Sequence, residues 1–375
     1  MSKLGLYIHI PFCRRICSYC DFAKRVSNQN KINKYVDYLL KEIELYKKNN
    51  FDYSNIYTIY IGGGTPSSIG LENLEKIFSR INSIIDKSKI IEYSIEVNPE
   101  DLNDDLISLL KKYNINRVSI GIQTFDKTLL KLLNREFDFE KFINNYYKLK
   151  EIISNINLDL IYAIPGQTIE TLKETIEIMI RLNPKHVSLY SLILEEKTVF
   201  YHLYNKNKLT LIDESLEREM YDLIHSMLAG KYFQYEVSNY CQKNYESRHN
   251  LIYWNNEQYL GLGVSSASFF ENRRFKNTTN LEDYFFSIDI EKFPIIEEEI
   301  LTEEDIKKYH IILGFRLING INLKGYQERF KSKLVEDFPI ISTFIKDGYF
   351  EIIDNHIRIK KEYIYVMDHF LEQII

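Results

Sequence analysis

The stretch LGLYIHIPFCRRICSYCDF, residues 4–22, runs from a β-rich apolar segment into three of the chain's four cysteines and stops at a phenylalanine. Cys13, Cys17 and Cys20 stand at Cys-x3-Cys-x2-Cys spacing, so their thiolates can converge from one loop on a small inorganic core. Soft thiolates select zinc, copper(I) or an iron–sulfur cluster. Structural zinc wants four protein ligands, and the nearest extra candidates are His9, inside the expected strand, and Asp21. The x3 gap is also unlike the paired Cys-x2-Cys knuckle of zinc sites. A 4Fe-4S cube on three cysteines instead leaves one iron open to an exchangeable ligand. Both readings fit these residues taken alone.

Outward from this loop, apolar runs alternate with amphipathic segments. Residues 4–10, 55–62, 90–97, 116–123, 157–164 and 186–194 read as six strands, several nearly continuous in Val, Ile and Tyr, the mark of strands buried on both faces. Between them, KINKYVDYLLKEIELYKK, LENLEKIFSRINSII and TIETLKETIEIMIRL repeat apolar residues every three or four positions, as core-facing helices do. Six βα units fit an open doubly wound sheet or a full or partial barrel. In each case chemistry belongs at the carboxyl ends of the strands, where Cys13, Gly62 to Pro66, Glu96 and Gln123 fall. Beyond about residue 200 the alternation fades into helices, a short strand around YFQYEVSNY and the aromatic stretch RHNLIYWNNEQYLGLG. The acidic run EEEILTEEDIKKYHIILGFRL near residue 297 opens a mostly helical tail. The expected domains are 1–230 for the core, 231–295 for an extension of it and 296–375 for a separate compact unit.

Composition bounds the function. With 48 basic against 53 acidic side chains in 375 residues, the net charge of −5 leaves no electrostatic footprint for nucleic acid. No window holds eighteen uninterrupted apolar residues, and the start shows no cleavage site, so we expect a cytoplasmic protein with no membrane insertion. Four cysteines are no disulfide framework for a chain of this size, and the lone Cys241 reads as a small buried hydrophobe.

The cysteine spacing, together with IGGGTPSS at residues 61–68, resembles the radical-SAM superfamily. The resemblance implies a partial (βα)6 TIM-like barrel with a smaller, mostly helical C-terminal domain. It also implies a 4Fe-4S cluster on Cys13, Cys17 and Cys20, and S-adenosylmethionine (SAM) on the open iron. Carried over position by position, it names Tyr7, Gly63, Gly64, Thr65, Glu96, Gln123, Arg135 and Asp159 as SAM contacts. YIGGGTPS, VSIGIQTF, DLIYAIPGQT, HVSLYSL, YEVSNY and RHNLIYW bring the chain closest to the coproporphyrinogen oxidase-like group.

Within that group the true oxidase carries a fourth cysteine where this chain has Phe22, and an N-terminal extension where strand one here starts almost at Met1. Both differences favour a haem-chaperone branch, whose members bind haem and pass it to haem-requiring proteins such as respiratory cytochromes, with a homodimer as an allowed state. That branch's His-Asn-x-x-Tyr-Trp motif matches residues 249–254 and makes His249 the expected haem ligand. Apart from the motif, a His among aromatics reads as a core residue; His186, His202, His225, His310, His356, His369 and Met367 carry no motif and read as structural. Oxidative decarboxylation of coproporphyrinogen III is the rival function. Ala163 and Asn134 stand where the family usually has Gly, and Ser265, Ser266 and Ala267 replace a Gly-Ala-His run.

Overall fold

The computed structural model describes residues 3–374. Its first six strands are β1 (Leu4–Ile10), β2 (Ile56–Gly63), β3 (Glu92–Val97), β4 (Arg117–Gln123), β5 (Asn155–Tyr162) and β6 (His186–Ser191). They pair in parallel and in chain order, each joined to the next through helical segments. The helix Gln29–Lys48 shows why the connections are helical: Ile32, Tyr35, Val36, Leu39, Ile43 and Tyr46 recur at core-facing spacing, and the Asn28 side chain accepts from the Lys31 N–H to start it.

The chain then adds strands at both ends of the sheet. The expected short strand around residues 232–240 is two antiparallel strands, β7 (Phe233–Glu236) and β8 (Asn239–Cys241), beside β6. On the other side β9 (Tyr259–Leu262) lies parallel to β1, followed by antiparallel β10 (Ala267–Phe270), β11 (Arg273–Asn277) and β12 (Ile295–Ile300). Sequence reading missed β9, whose four residues are too few to show a period. The acidic run expected to open the tail gives its first residues to β12, an edge strand where Glu298 pairs with Arg273 at 2.9 Å, and the rest to the helix Glu303–Gly314, whose Ile311 belongs to a second core. Charge on an exposed edge discourages pairing with another chain. The twelve-stranded sheet runs from β12 to β7 without closing, so the barrel is partial.

One face of the parallel strands carries Leu6, Ile8, Ile59, Ile61, Val118, Ile120, Leu158 and Leu160, all fully buried beneath the helices. Each such side chain contributes about 1.5–3 kcal/mol. The inner face differs from the two-sided apolar burial that the sequence led us to expect. Glu92, Ser94 and Glu96 alternate along β3, Arg117 and Ser119 along β4, Asn157 and Asp159 along β5, and His186, Ser188 and Tyr190 along β6. A polar lining makes the hollow a site and not a packed core.

A second hydrophobic core, from Ile311 to Ile374, surrounds a three-stranded sheet formed by Ile321–Asn322, Phe350–Ile353 and His356–Ile359. It joins the barrel partly as a strand: the Val237 N–H donates to Arg316 O at 3.1 Å and the Ile318 N–H to Tyr235 O at 3.0 Å, covering the free edge of β7. Among the described residues no helix is long and apolar enough to cross a membrane.

Candidate metal and cofactor centre

The cysteine loop leaves the carboxyl end of β1 and is held on several sides. The Cys13 N–H donates to Arg25 O at 3.0 Å and the Ser18 N–H to Leu133 O at 3.1 Å, while Asn134 Nδ2 donates to Ile16 O at 2.8 Å. Arg14 pairs at 2.6 Å with the buried carboxylate of Asp101, which also accepts from Ser67 Oγ at 2.7 Å. The loop after β2 lies against it, because the Gly64 N–H donates to Ile10 O at 2.8 Å and the Thr65 N–H to Phe12 O at 2.7 Å. A Cβ on Gly64 would come within 2.8 Å of Phe12 O, so only glycine permits this approach. Gly63, at φ +114°, leaves room that the His9 ring fills.

Cys13, Cys17 and Cys20 are all half-buried and unbridged. Burial pushes the Cys13 thiol up to about 11, with the Thr65 hydroxyl lowering it and the charges of Cys20 and Cys17 raising it further. Burial likewise raises the Cys20 thiol, against the lowering effects of Lys24 and of the Phe22 N–H. The three sulfurs thus sense one another, and those two are poor thiolates until a metal's positive charge arrives. Among the described residues no trio of His, Cys, Asp or Glu closes around a single ion.

Donors are already aimed at two of the thiols: Thr65 Oγ1 lies 3.4 Å from Cys13 Sγ, and Arg135 Nη1 lies 3.9 Å from Cys17 Sγ. Arg135 is fixed by Nη2, which donates at 2.9 Å to both Asn98 Oδ1 and Gly121 O. Phe22, two residues beyond Cys20, is 71% exposed. Cys241 is buried where β8 faces His186, at the amino end of β6 and so at the opposite end of the barrel.

Below the loop, Tyr7, Tyr60, Glu96, Gly121 and Asp159 are half-buried on the inner face and line the hollow. Glu96 accepts from Tyr60 OH at 2.8 Å and from the Gly63 N–H at 3.0 Å. Burial raises its carboxyl to about 7, with Asp159 pushing the same way. Asp159 accepts from Ser119 Oγ and Asn157 Nδ2, each at 2.8 Å. Tyr7 bonds His9 Nδ1 at 2.9 Å and stacks on Tyr60. Gln123 ends β4 in a left-handed conformation, φ +68°, with its side chain beside Gly121 and Arg135. The sequence-derived set therefore shares one region of the fold, with the exception of His249.

His249 sits at the floor of the barrel, 1% exposed, on the helix Arg248–Trp254. Its Nδ1 bonds Thr58 Oγ1 at 2.8 Å, its Nε2 bonds Tyr253 OH at 2.7 Å, and its ring stacks on Tyr60. Burial, aided by Arg117, lowers its pKa to about 3. Both nitrogens are engaged and no macrocycle can reach them in this conformation, so the ring does not fit haem here. Sequence reasoning missed Glu92, a buried acid that accepts the Arg248 N–H at 2.8 Å and the His249 N–H at 3.0 Å and so seats this helix. Asn98, Tyr60 and the fully buried Arg117 were missed as well. The legible signal was period-two polarity in strands read as apolar, Glu92 with Glu96 above all. A cleft of about 630 Å³ lined by Lys111, Asn116 and Ser154 opens at the amino ends of the strands, away from this chemistry.

Residues 7–179 match the Radical SAM superfamily and residues 301–363 the HemN C-terminal domain. The chain is 38% identical over 87% of its length to "Heme chaperone HemW" of Lactococcus lactis, covering 84% of that protein. It is 37% identical over 89% of its length to the protein of the same name from Bacillus subtilis, covering 89% of that one. Among solved structures it superposes on the coproporphyrinogen III oxidase HemN of Escherichia coli with a TM-score of 0.85 at 21% identity, over 99% of this chain and 89% of that one. At that identity the likeness speaks for the fold alone.

Proposed function

The chain belongs to the HemW family of radical SAM proteins, and from that premise we propose that it is a cytoplasmic haem chaperone, which binds haem and delivers it to acceptor proteins such as respiratory cytochromes. In this reading Cys13, Cys17 and Cys20 hold a 4Fe-4S cluster. When bound, such a cluster supplies an open iron for SAM and a one-electron reductant. The chain's own residues orient and shield. Thr65 and Arg135 donate toward the sulfurs of Cys13 and Cys17, which tunes the potential of a thiolate-bound cluster. Tyr7, Gly63, Gly64, Glu96, Gln123 and Asp159 line the space for SAM, the two acids suited to its ribose hydroxyls and ammonium group and Arg135 to its carboxylate. A homodimer belongs to the same proposal.

The observation that carries it is the pair of donors already trained on two of the three clustered thiols. The test is anaerobic reconstitution followed by transfer of bound haem to an apocytochrome. We expect about four irons per chain, haem passed to the acceptor, and no protoporphyrinogen from coproporphyrinogen III. Steady turnover of coproporphyrinogen would install the oxidase reading in its place, and protein that takes up no iron would end both.

A further inference from the structure

Five asparagines begin a helical turn among the described residues, and four of them use the side chain to cap it. Asn28, Asn103, Asn280 and Asn322 each accept a backbone N–H from the turn they open. Asn98, which follows β3 and opens the short turn Pro99–Asp101, does not. Its Oδ1 instead accepts from Arg135 Nη2 at 2.9 Å, while its Nδ2 donates to Glu100 Oε1 at 3.3 Å. Those two contacts fix which way the amide lies, because a guanidinium only donates and an ionised carboxylate only accepts.

The diverted oxygen bears on the cysteine loop. Arg135 Nη2 also donates to Gly121 O at 2.9 Å, so one nitrogen is held between two oxygens. A guanidinium is a rigid planar fork, and fixing one arm sets the direction of the other. The other arm, Nη1, lies 3.9 Å from Cys17 Sγ. With Gly121 O alone the fork would have a single point to swing about. Asn98 is itself tied back to the same loop. Its N–H donates to Ser67 Oγ at 3.1 Å, Ser67 Oγ donates to Asp101 at 2.7 Å, and the buried Asp101 carboxylate pairs at 2.6 Å with Arg14, the residue after Cys13. Polar contacts thus run without a break from beside Cys13, through Asp101, Ser67, Asn98 and Arg135, to the sulfur of Cys17.

We infer that Asn98 is a positioning residue, which aims the Arg135 guanidinium at the Cys17 sulfur and at the carboxylate of SAM and acts only through it. The inference rests on the cluster and SAM sites proposed above and adds the side chain that sets their geometry. A donor at a cluster sulfur favours the reduced, more negative state and so raises the potential. A guanidinium free to swing loses that effect and its aim at the SAM carboxylate together.

The test uses full-length protein reconstituted anaerobically. It reads iron content, the midpoint potential from an EPR-monitored reductive titration, and SAM affinity from the change in the EPR signal as SAM is added. Asn98→Ala should keep its iron and thermal midpoint, move the potential to a more negative value and weaken SAM binding about tenfold, as the loss of one charge-assisted hydrogen bond implies. Asn98→Asp keeps the accepting oxygen and should bind SAM more tightly than Asn98→Ala. In an Arg135→Ala background, where nothing is left to aim, Asn98→Ala should leave the potential where Arg135→Ala alone puts it and SAM affinity within about twofold. Wild-type protein that takes up no iron or no SAM overturns the cluster reading together with this one. With iron and SAM bound, an Asn98→Ala that matches wild type, effects that add in the double variant, or iron lost from both Asn98 variants overturns the Asn98 assignment alone.

Discussion

Ala163, Asn134 and Ser265 all adopt left-handed backbone, with φ of +59°, +57° and +64°. Asn tolerates that conformation, whereas Ala carries about 1 kcal/mol or more of Cβ strain there. Ala163→Gly should therefore raise unfolding free energy by about 1 kcal/mol in urea titration; an unchanged midpoint would show that the turn has relaxed. Glu42 illustrates burial acting on one charge. It is fully buried in the helix Gln29–Lys48 and accepts from the Gly263 N–H at 2.7 Å, Asn277 Nδ2 at 2.8 Å and Tyr284 OH at 2.7 Å. Burial raises its carboxyl from 4.5 to about 7 against the lowering effect of those bonds, so the fold favours the neutral form. Its contribution is full below the unfolded value and is lost as pH rises through the folded one. Glu42→Gln stays neutral, and its stability relative to wild type should improve by up to about 3 kcal/mol between about pH 5 and pH 8. A difference that stays flat across that range would show the carboxylate to be at ease where it is.

The helix Arg248–Trp254 shows how an element of seven residues is held from both ends. Glu92 sits at its amino end, while Arg329 donates to Asn255 O at 3.0 Å and Asn256 O at 2.8 Å just past its carboxyl end. Acid at the start and base at the finish complement the helix dipole. The Arg316 guanidinium also lies 5.0 Å from the centre of the Trp254 ring. Trp254 thus packs between the barrel floor and the C-terminal unit, while Tyr253 packs on His249 and Tyr259 within the barrel. Removing Glu92 would strand the backbone donors and take a negative charge from beside the buried Arg117. Glu92→Ala should cost about 3–5 kcal/mol by urea denaturation and Glu92→Gln clearly less; a loss below about 1 kcal/mol would mean that water replaces the carboxylate.

For the molecule as a whole, the main sheet stretches from Leu4 to Ile300 and the second core begins at Ile311. The backbone rungs between Tyr235–Val237 and Arg316–Ile318 join the two units as one continued sheet edge. Proline lacks the N–H that Ile318 gives to Tyr235 O. Ile318→Pro should open that seam, so that limited proteolysis near Thr302 frees the C-terminal unit while the cysteine loop stays protected. A digestion pattern identical to wild type would place the strength of the joint in Arg329 and Arg316.

Much of this was legible along the chain. Three thiols within one turn-rich loop must stay together whatever surrounds them, and GGGT after a strand must form a tight, close-approaching turn, because both follow from covalent spacing and from the absence of a Cβ. The six parallel strands were equally plain, since alternating βα periodicity is a local property. What the tertiary structure alone decided was partnership and exposure. His249 looked like a ligand until Thr58 and Tyr253 took its nitrogens and Glu92 drew its helix into the barrel. A side chain's chemistry is written in its own residue, but its access to solvent and its hydrogen bonds depend on residues far away in sequence.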